Sequence, residues 1–300
     1  MTRLPLCLSL LLSGLAACVH QSSWEPVGPG NPALAGALPS TAQLAVLSVE
    51  PEGSAIRLLD SRGEELAFLW TGLDGADALA WDSASGQFLV RGDGELRIVN
   101  THGAWWTVDR TPEDSTRGMS FTPDGQRLLA QETILSARSS AGSDEQLHDD
   151  SRCFWDTAAS GEHGLSIDVM TGTVVSWTPG SSEVEDLFVY TDEEQCWHEP
   201  GVLGTDRGGA VWIGRVETGE ITVYDGELVP VEPSDGLGLP SAAPTARSVV
   251  RLAEVDPGAE GVLALASGAP DSVYALFTGP SGEGIVRVTR SGEAQRIVTA

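Results

Sequence analysis

The stretch FTPDGQRLLA, residues 121–130, decides the fold. Apolar residues flank the turn Pro123-Asp124-Gly125, in which proline presets φ and glycine permits the positive φ that closes a tight turn. The stretch therefore predicts a β-hairpin. Related patterns occupy residues 80–90 (AWDSASGQFLV) and 255–258 (VDPG), which we predict to lie in equivalent hairpins.

A second hairpin pattern repeats five times along the chain. Each copy has an apolar strand, a short polar turn that ends in glycine, and a further run rich in apolar and β-branched residues. Two hairpins, one of each pattern, together make a four-stranded sheet, so the chain predicts an all-β fold of about five to six such sheets. The turns end at Gly63, Gly103, Gly172, Gly219 and Gly292.

The spacing of these glycines is 40, 69, 47 and 73 residues. The short spacings match the roughly 40–45 residues of one propeller blade. The long ones predict insertions near residues 131–163, inside a blade, and near residues 226–246, between blades. Through Pro123-Asp124-Gly125 and the Thr-Gly and Ser-Gly hairpins, the chain resembles WD-repeat-like and TolB-type β-propellers. The resemblance implies a propeller domain over residues 43–300, with a β-sandwich as the alternative.

The chain starts with the parts of a secretory signal. Arg3 is followed by an apolar run over residues 4–17, too short for a bilayer-spanning helix of about 20 residues. The run ends in Leu15-Ala16-Ala17-Cys18, which resembles the lipobox of bacterial lipoproteins. That resemblance implies that residues 1–17 are removed and that Cys18 is lipidated as the mature N-terminus. The alternative is an ordinary signal peptide.

Residues 18–42 comprise the lipidated Cys18 and a segment rich in Pro, Gly, Ser and Ala, which predicts a flexible tether. An ordered segment along the domain surface is the alternative. The lipoprotein resemblance places the chain in the bacterial cell envelope, held on a membrane by its lipid. Because Val19 and not aspartate follows the cysteine, it implies the outer membrane in a Gram-negative host.

The charge of the chain excludes one class of partner. The formal net charge is −26, and all 17 basic residues are arginine. Such a chain repels phosphate backbones, so we expect no nucleic-acid binding.

Cysteine usage predicts one disulfide. Cys7 leaves with the signal and Cys18 takes lipid, so Cys153 and Cys196 remain. An even pair in an oxidising compartment favours a disulfide between them, with metal ligation as the alternative.

The two segments around this cysteine pair are acidic and aromatic. A Cys153–Cys196 bond would bring residues 144–156 close to residues 192–199, and several carboxylates together suit Ca²⁺. His148 and His198 offer ligands for a transition metal instead. Neither segment has the regular spacing of a calcium loop, so we expect the protein to bind no cofactor. Ca²⁺ is the candidate for a metal at this place, and the alternative is a solvated loop that binds no metal. The candidate metal ligands are Asp144, Asp149, Asp150, Asp192, Glu193 and Glu194.

The sequence assigns no catalytic residue. It contains neither a Gly-x-Ser-x-Gly elbow nor a Gly-x-x-x-x-Gly-Lys phosphate loop. We therefore favour a binding or scaffold lipoprotein that presents its propeller to an envelope protein or a glycan. The alternative is an extracytoplasmic hydrolase or lyase, which requires polar side chains that converge at the central channel. A third hypothesis is that the chain resembles the outer-membrane assembly lipoprotein, which is also a tethered propeller.

Overall fold

The computed structural model describes residues 19–20, 44–110, 118–139, 144–181, 183–191, 200–224, 246–268, 270–279 and 282–299. These residues form 24 strands and one short helix, and the strands make six four-stranded sheets. The sheets are the blades of a β-propeller, so the predicted fold is confirmed and the β-sandwich alternative is wrong. Among the described residues, no helix is long and apolar enough to cross a membrane.

The first three blades follow one another along the chain. Blade 1 contains β1 (Val19–His20), β2 (Leu44–Glu50), β3 (Gly53–Leu59) and β4 (Glu65–Trp70). Blade 2 contains β5 (Ala76–Asp82), β6 (Gln87–Gly92), β7 (Glu95–Asn100) and β8 (Trp105–Arg110). Blade 3 contains β9 (Gly118–Phe121), β10 (Arg127–Gln131), β11 (Ile134–Arg138) and β12 (Asp144–His148).

The last three blades continue this order. Blade 4 contains β13 (Phe154–Ser160), β14 (His163–Asp168), β15 (Thr173–Trp177) and β16 (Val184–Val189). Blade 5 contains β17 (Gly201–Thr205), β18 (Val211–Arg215), β19 (Glu220–Tyr224), β20 (Ala246–Arg251) and the helix α1 (Leu252–Val255) that follows it. Blade 6 contains β21 (Gly261–Ser267), β22 (Ser272–Gly279), β23 (Gly282–Thr289) and β24 (Ala294–Thr299).

The hydrophobic core is divided among the six junctions between blades. Each of six clusters joins side chains from two neighbouring blades, because both faces of every blade pack against another sheet. The ring closes between blades 6 and 1, where Leu44 and Leu59 pack with Tyr274 and Leu276. Removing such apolar surface from water stabilises the fold by about 1.5–3 kcal/mol per large side chain.

The predicted glycine turns are confirmed. Gly63, Gly103, Gly172, Gly219 and Gly292 all have positive φ, between 65° and 86°. A side chain at the start of the turn commonly accepts hydrogen bonds from the backbone N–H groups of the turn. The Asp60 Oδ1 atom, for example, accepts the N–H groups of Arg62 and Glu64.

These turns occupy two different places in the blades. Gly63, Gly103 and Gly292 connect the third and fourth strands of blades 1, 2 and 6, whereas Gly172 and Gly219 connect the second and third strands of blades 4 and 5. The long glycine spacings have two causes. The 69 residues from Gly103 to Gly172 pass over blade 3, which contains none of these five glycines, and the 73 residues from Gly219 to Gly292 include a shift of the turn by one strand within the blade. They do not require an insertion at every long interval.

Both predicted insertions are corrected by the structure. Residues 131–163 contain the whole of β11, β12 and β13, so they belong to blades 3 and 4. Residues 225–245 lie outside the described residues, but they connect β19 to β20 and so fall inside blade 5, not between blades. The VDPG stretch at residues 255–258 lies between α1 and β21 and not in a first hairpin.

Blade 1 differs from the others at its innermost position. Its first strand, β1, has only two residues and pairs in parallel with β2 at Leu47 and Ser48. In the other five blades the first strand has four to seven residues and is antiparallel to the second. Residues 21–43 lie outside the described residues, so the tether stays a prediction.

Candidate functional site

The six blades surround a central cavity of about 720 Å³. The first strands of blades 2 to 6 line it together with the start of β2, and it extends to the turns of the first hairpins. Most of its wall is small or apolar. The wall includes Leu44, Ala45, Ala78, Ala80, Gly118, Met119, Ala158, Ala159, Val202, Gly204, Leu263, Ala264 and Ala266.

Asp156 is one of two acidic residues that line this cavity in the part of the chain that the structure describes. A register shift between Phe154 and Thr157 marks a β-bulge in β13, and bulges commonly re-aim a side chain out of the ladder. One carboxylate oxygen, Oδ2, accepts the Leu203 N–H of blade 5 at 2.7 Å. The other, Oδ1, accepts the Thr157 N–H at 2.8 Å. The carboxyl group thus connects two blades and opens on the cavity.

The surroundings of Asp156 change its acidity. Burial raises its pKa to about 7, although the hydrogen bonds from Leu203 and Thr157 act in the opposite direction. Near neutral pH the group therefore exists in both protonation states. Such a group can both accept and donate a proton to a bound molecule.

Blade 3 approaches Asp156 closely because residue 118 is glycine. A Cβ atom at Gly118 would lie 2.5 Å from the Asp156 Oδ1 atom and 2.4 Å from the Thr157 nitrogen, which is sterically impossible. Ser120 stands two residues further along β9, and alternation in a strand directs both residues to the same side. The Ser120 Oγ atom is buried and has no hydrogen-bond partner among the described residues.

An aromatic side chain marks the mouth of the cavity. Trp81, the penultimate residue of β5, is 40% exposed although it is large and apolar. Its ring lies 4.5 Å from the Phe88 ring, between centroids, at an angle of 48°. Phe121 and Pro123 of blade 3 also line this end.

Asp206 secures the mouth where blades 5 and 6 meet. Its Oδ1 atom accepts the N–H groups of Gly208 and Ala210, and its Oδ2 atom accepts the Trp212 Nε1–H at 2.9 Å and the Arg290 Nε–H at 2.7 Å. Burial alone would raise the pKa of Asp206, but the bonds from Arg290 and Trp212 outweigh it and hold the pKa below its usual value. Asp206 is therefore a structural carboxylate.

Asp149, a predicted metal ligand, is held by protein groups. Its Oδ1 atom accepts two hydrogen bonds from Ser151, and its Oδ2 atom accepts one from Arg152. The Ser151 hydroxyl is the main reason that the pKa of Asp149 is lowered. Arg152 also contacts Asp168 and Asp186, so three carboxylates share one guanidinium here.

The remaining metal candidates are not brought together in the described part of the chain. Asp150 is exposed and lies 3.1 Å from the His148 Nε2 atom, while Asp144 belongs to β12 opposite Arg138. No group of three metal-binding side chains occurs among the described residues. Asp192, Glu193 and Glu194 lie outside these residues, so calcium binding stays a prediction.

The cysteine predictions also stay open. Cys153 is half-buried beside the core cluster of blades 4 and 5, and its N–H donates to the Asp168 Oδ1 atom. Cys196 and Cys18 lie outside the described residues. The disulfide and the lipidation therefore stay predictions.

Sequence reasoning missed the cavity residues. Asp156 was grouped with the acidic segment around Cys153, and neither Ser120 nor Trp81 was selected. The signal that finds them is the position within the blade: Asp156 and Trp81 fall on first strands, which face the channel.

Known proteins resemble this chain in fold. No protein-family model and no curated protein matches its sequence. A streptogramin B lyase structure is 15% identical, with a TM-score of 0.51, over 88% of this chain and 85% of that one. A protein of unknown function from Bacteroides caccae is 11% identical, with a TM-score of 0.55, over 82% and 90%. An inactive virginiamycin B lyase from Staphylococcus aureus with quinupristin is 13% identical, with a TM-score of 0.49, over 87% and 86%. At this identity the likeness to the first two supports the propeller fold alone.

Proposed function

We propose that this chain is a lipid-anchored envelope protein whose propeller binds a protein or glycan partner at the mouth of its central channel. The exposed ring of Trp81 is the observation that carries the proposal. An indole offers a large apolar face and one N–H donor, and tryptophan is enriched where protein interfaces concentrate their binding energy.

The setting of Trp81 favours a binding role. Its backbone is fixed in β5 opposite Phe88, and the Phe88 ring packs against the indole. The ring is therefore held in place before any partner arrives, which lowers the entropic cost of binding. A flat, fixed indole suits either an apolar side chain or the apolar face of a sugar ring.

The membrane anchor rests on the start of the sequence. Leu15-Ala16-Ala17-Cys18 resembles a lipobox, and two or more acyl chains would hold the protein stably on a bilayer. The propeller would then present its channel mouth to molecules of the envelope.

Partner capture with matched tryptophan variants tests this function. The full lipidated chain is purified from solubilised membranes as wild type, Trp81→Ala and Trp106→Ala. Trp106 is equally exposed, at 42%, but lies on the outer strand β8 and controls for the loss of a surface indole. We expect wild type and Trp106→Ala to capture the same partner. Trp81→Ala should capture at least about tenfold less of this partner.

Two readouts complete this test. Protease treatment or periodate oxidation of the captured material identifies the partner as protein or glycan. Equal recovery with Trp81→Ala would contradict the proposal.

A second candidate function is that of a lyase, which Asp156 favours. A partly ionised carboxyl group in a cavity is suited to remove a proton from a bound substrate and return it to the leaving group. The fold is also similar to that of a streptogramin B lyase.

A streptogramin B antibiotic is the direct probe of this second candidate. A lyase breaks a bond without adding water, so mass spectrometry would find product that contains no added water, unlike the product of hydrolysis. We expect Asp156→Asn to abolish that product. Absence of product with the wild-type chain would refute this candidate for that substrate class.

A further inference from the structure

Asp156 is a channel carboxyl group without a counter-ion. Its acidity is set by burial and by two backbone N–H donors, and no cationic side chain of the described chain contributes. A carboxylate has about four lone-pair sites, of which Leu203 and Thr157 occupy two. The rest of its hydrogen-bonding capacity is available to a molecule in the cavity.

The strands packed against β13 carry few charged groups that could serve as this counter-ion. The strands β9 and β17 contain no titratable side chain, and β10 contains Arg127, at the end of the strand that pairs with Phe121 near the mouth. On β14, His163 is exposed and bonded to the Thr178 hydroxyl, whereas Asp168 is paired with Arg152. At the mouth itself, Asp206 is paired with Arg290 and Arg207 is exposed.

The cavity also provides an apolar path to the mouth. Asp156 and Ala78 occupy equivalent positions in their strands, four residues before the strand ends, and Trp81 follows Ala78 by three residues. At about 3.3 Å per residue, the indole stands about 10 Å nearer the mouth than the carboxylate. Between them the wall consists of small apolar side chains such as Ala80 and Ala158.

We infer that the channel binds an organic amine whose ammonium group contacts Asp156 and whose apolar body extends along the wall to Trp81. An ammonium group supplies three donors and the missing positive charge. A net charge of −26 raises the local concentration of cations, and the face of an indole is favourable to them. The inference deepens the proposed binding function, because it names a ligand for the interior of the same channel.

Calorimetric titration with 4-phenylbutylamine tests the inference, and 4-phenylbutanol serves as the neutral probe of the same shape. We expect the full chain to bind the amine at pH 8, where Asp156 is mostly ionised and the amine is still protonated. At pH 5.5, where the Asp156 carboxyl is mostly protonated, affinity should fall at least roughly tenfold. At pH 6, binding should release a proton, which titrations in two buffers of different ionisation enthalpy detect.

Variants separate charge recognition from apolar binding. Asp156→Asn should reduce the affinity for the amine to that for the alcohol, while Trp106→Ala leaves both unchanged. Equal affinity for amine and alcohol, or an affinity for the amine that does not change with pH, would overturn the inference without any variant.

Partner capture distinguishes this inference from the proposed function. If Asp156→Asn loses the amine but still captures the partner at Trp81, both proposals stand, and the carboxyl group serves the amine alone. If the wild-type chain captures the partner but shows no preference for the amine, only this inference fails.

Discussion

Asp156 obtains its chemistry from one irregularity in an otherwise regular strand. Without the bulge between Phe154 and Thr157, alternation would direct residue 156 differently. Glycine at position 118 and the amide of Leu203 then fix where the carboxyl group lies. A bulge and a close approach of this kind depend on the neighbouring strands, so the sequence of β13 alone does not reveal them.

The raised pKa of Asp156 predicts a specific pH dependence of stability. Because the folded state holds this proton more tightly than the unfolded chain does, the contribution is present below about pH 4 and is lost as pH rises through about 7. The free energy of unfolding of the wild type, relative to Asp156→Asn, should therefore fall over this range by at most about 1.4 kcal/mol per pH unit.

Urea unfolding of both proteins between pH 5 and 8 measures this difference. Asp150→Asn, which removes an exposed carboxyl group, controls for the loss of one charge. A constant difference between wild type and Asp156→Asn over this range would show that the carboxyl group titrates normally.

At the scale of the element, the turns were more predictable than their places in the blades. Gly63 and Gly172 both have positive φ in a hairpin turn. The turn at Gly63 connects the third and fourth strands of its blade, whereas the turn at Gly172 connects the second and third. Local sequence determines the turn, because φ and the capping carboxylate are local properties. The position of a hairpin in its blade depends on packing between sheets. Glycine spacing overestimated the insertions because the turn shifts within the blade and because the interval from Gly103 to Gly172 passes over blade 3.

The junction between blades 5 and 6 provides a test at this scale. Arg290 donates hydrogen bonds to the fully buried Asp206 carboxylate through two guanidinium nitrogens. Arg290→Ala therefore leaves this buried carboxylate without its charged partner. We expect a loss of about 3 kcal/mol in the free energy of unfolding at pH 7. The ion pair between Arg251 and Glu220 is largely exposed and serves as the control. Arg251→Ala should lower the free energy of unfolding by at most about 1 kcal/mol.

The pH dependence identifies the cause of that loss. Since the pKa of Asp206 is lowered in the folded state, its contribution is present above about pH 4 and disappears as pH falls through the lowered value. The deficit of Arg290→Ala should shrink in acid. A deficit that is the same at pH 3 and pH 7 would point to lost packing in place of lost charge pairing.

For the whole molecule, the repeated hairpins sufficed to predict an all-β propeller, and the six junction cores explain why it closes as a ring. The cavity could not be predicted in the same way, because its wall comes from strands far apart in the sequence. Ala78, Asp156 and Leu263, for example, meet only when blades 2, 4 and 6 surround one axis.

We propose that this propeller acts in the envelope, attached to a membrane through Cys18. Intact-mass spectrometry of the chain extracted from bacterial membranes measures this most directly. We expect a mature protein that begins at Cys18 and carries acyl chains, and a Cys18→Ser variant that carries none. A mature chain that begins elsewhere and bears no acyl group would contradict the account.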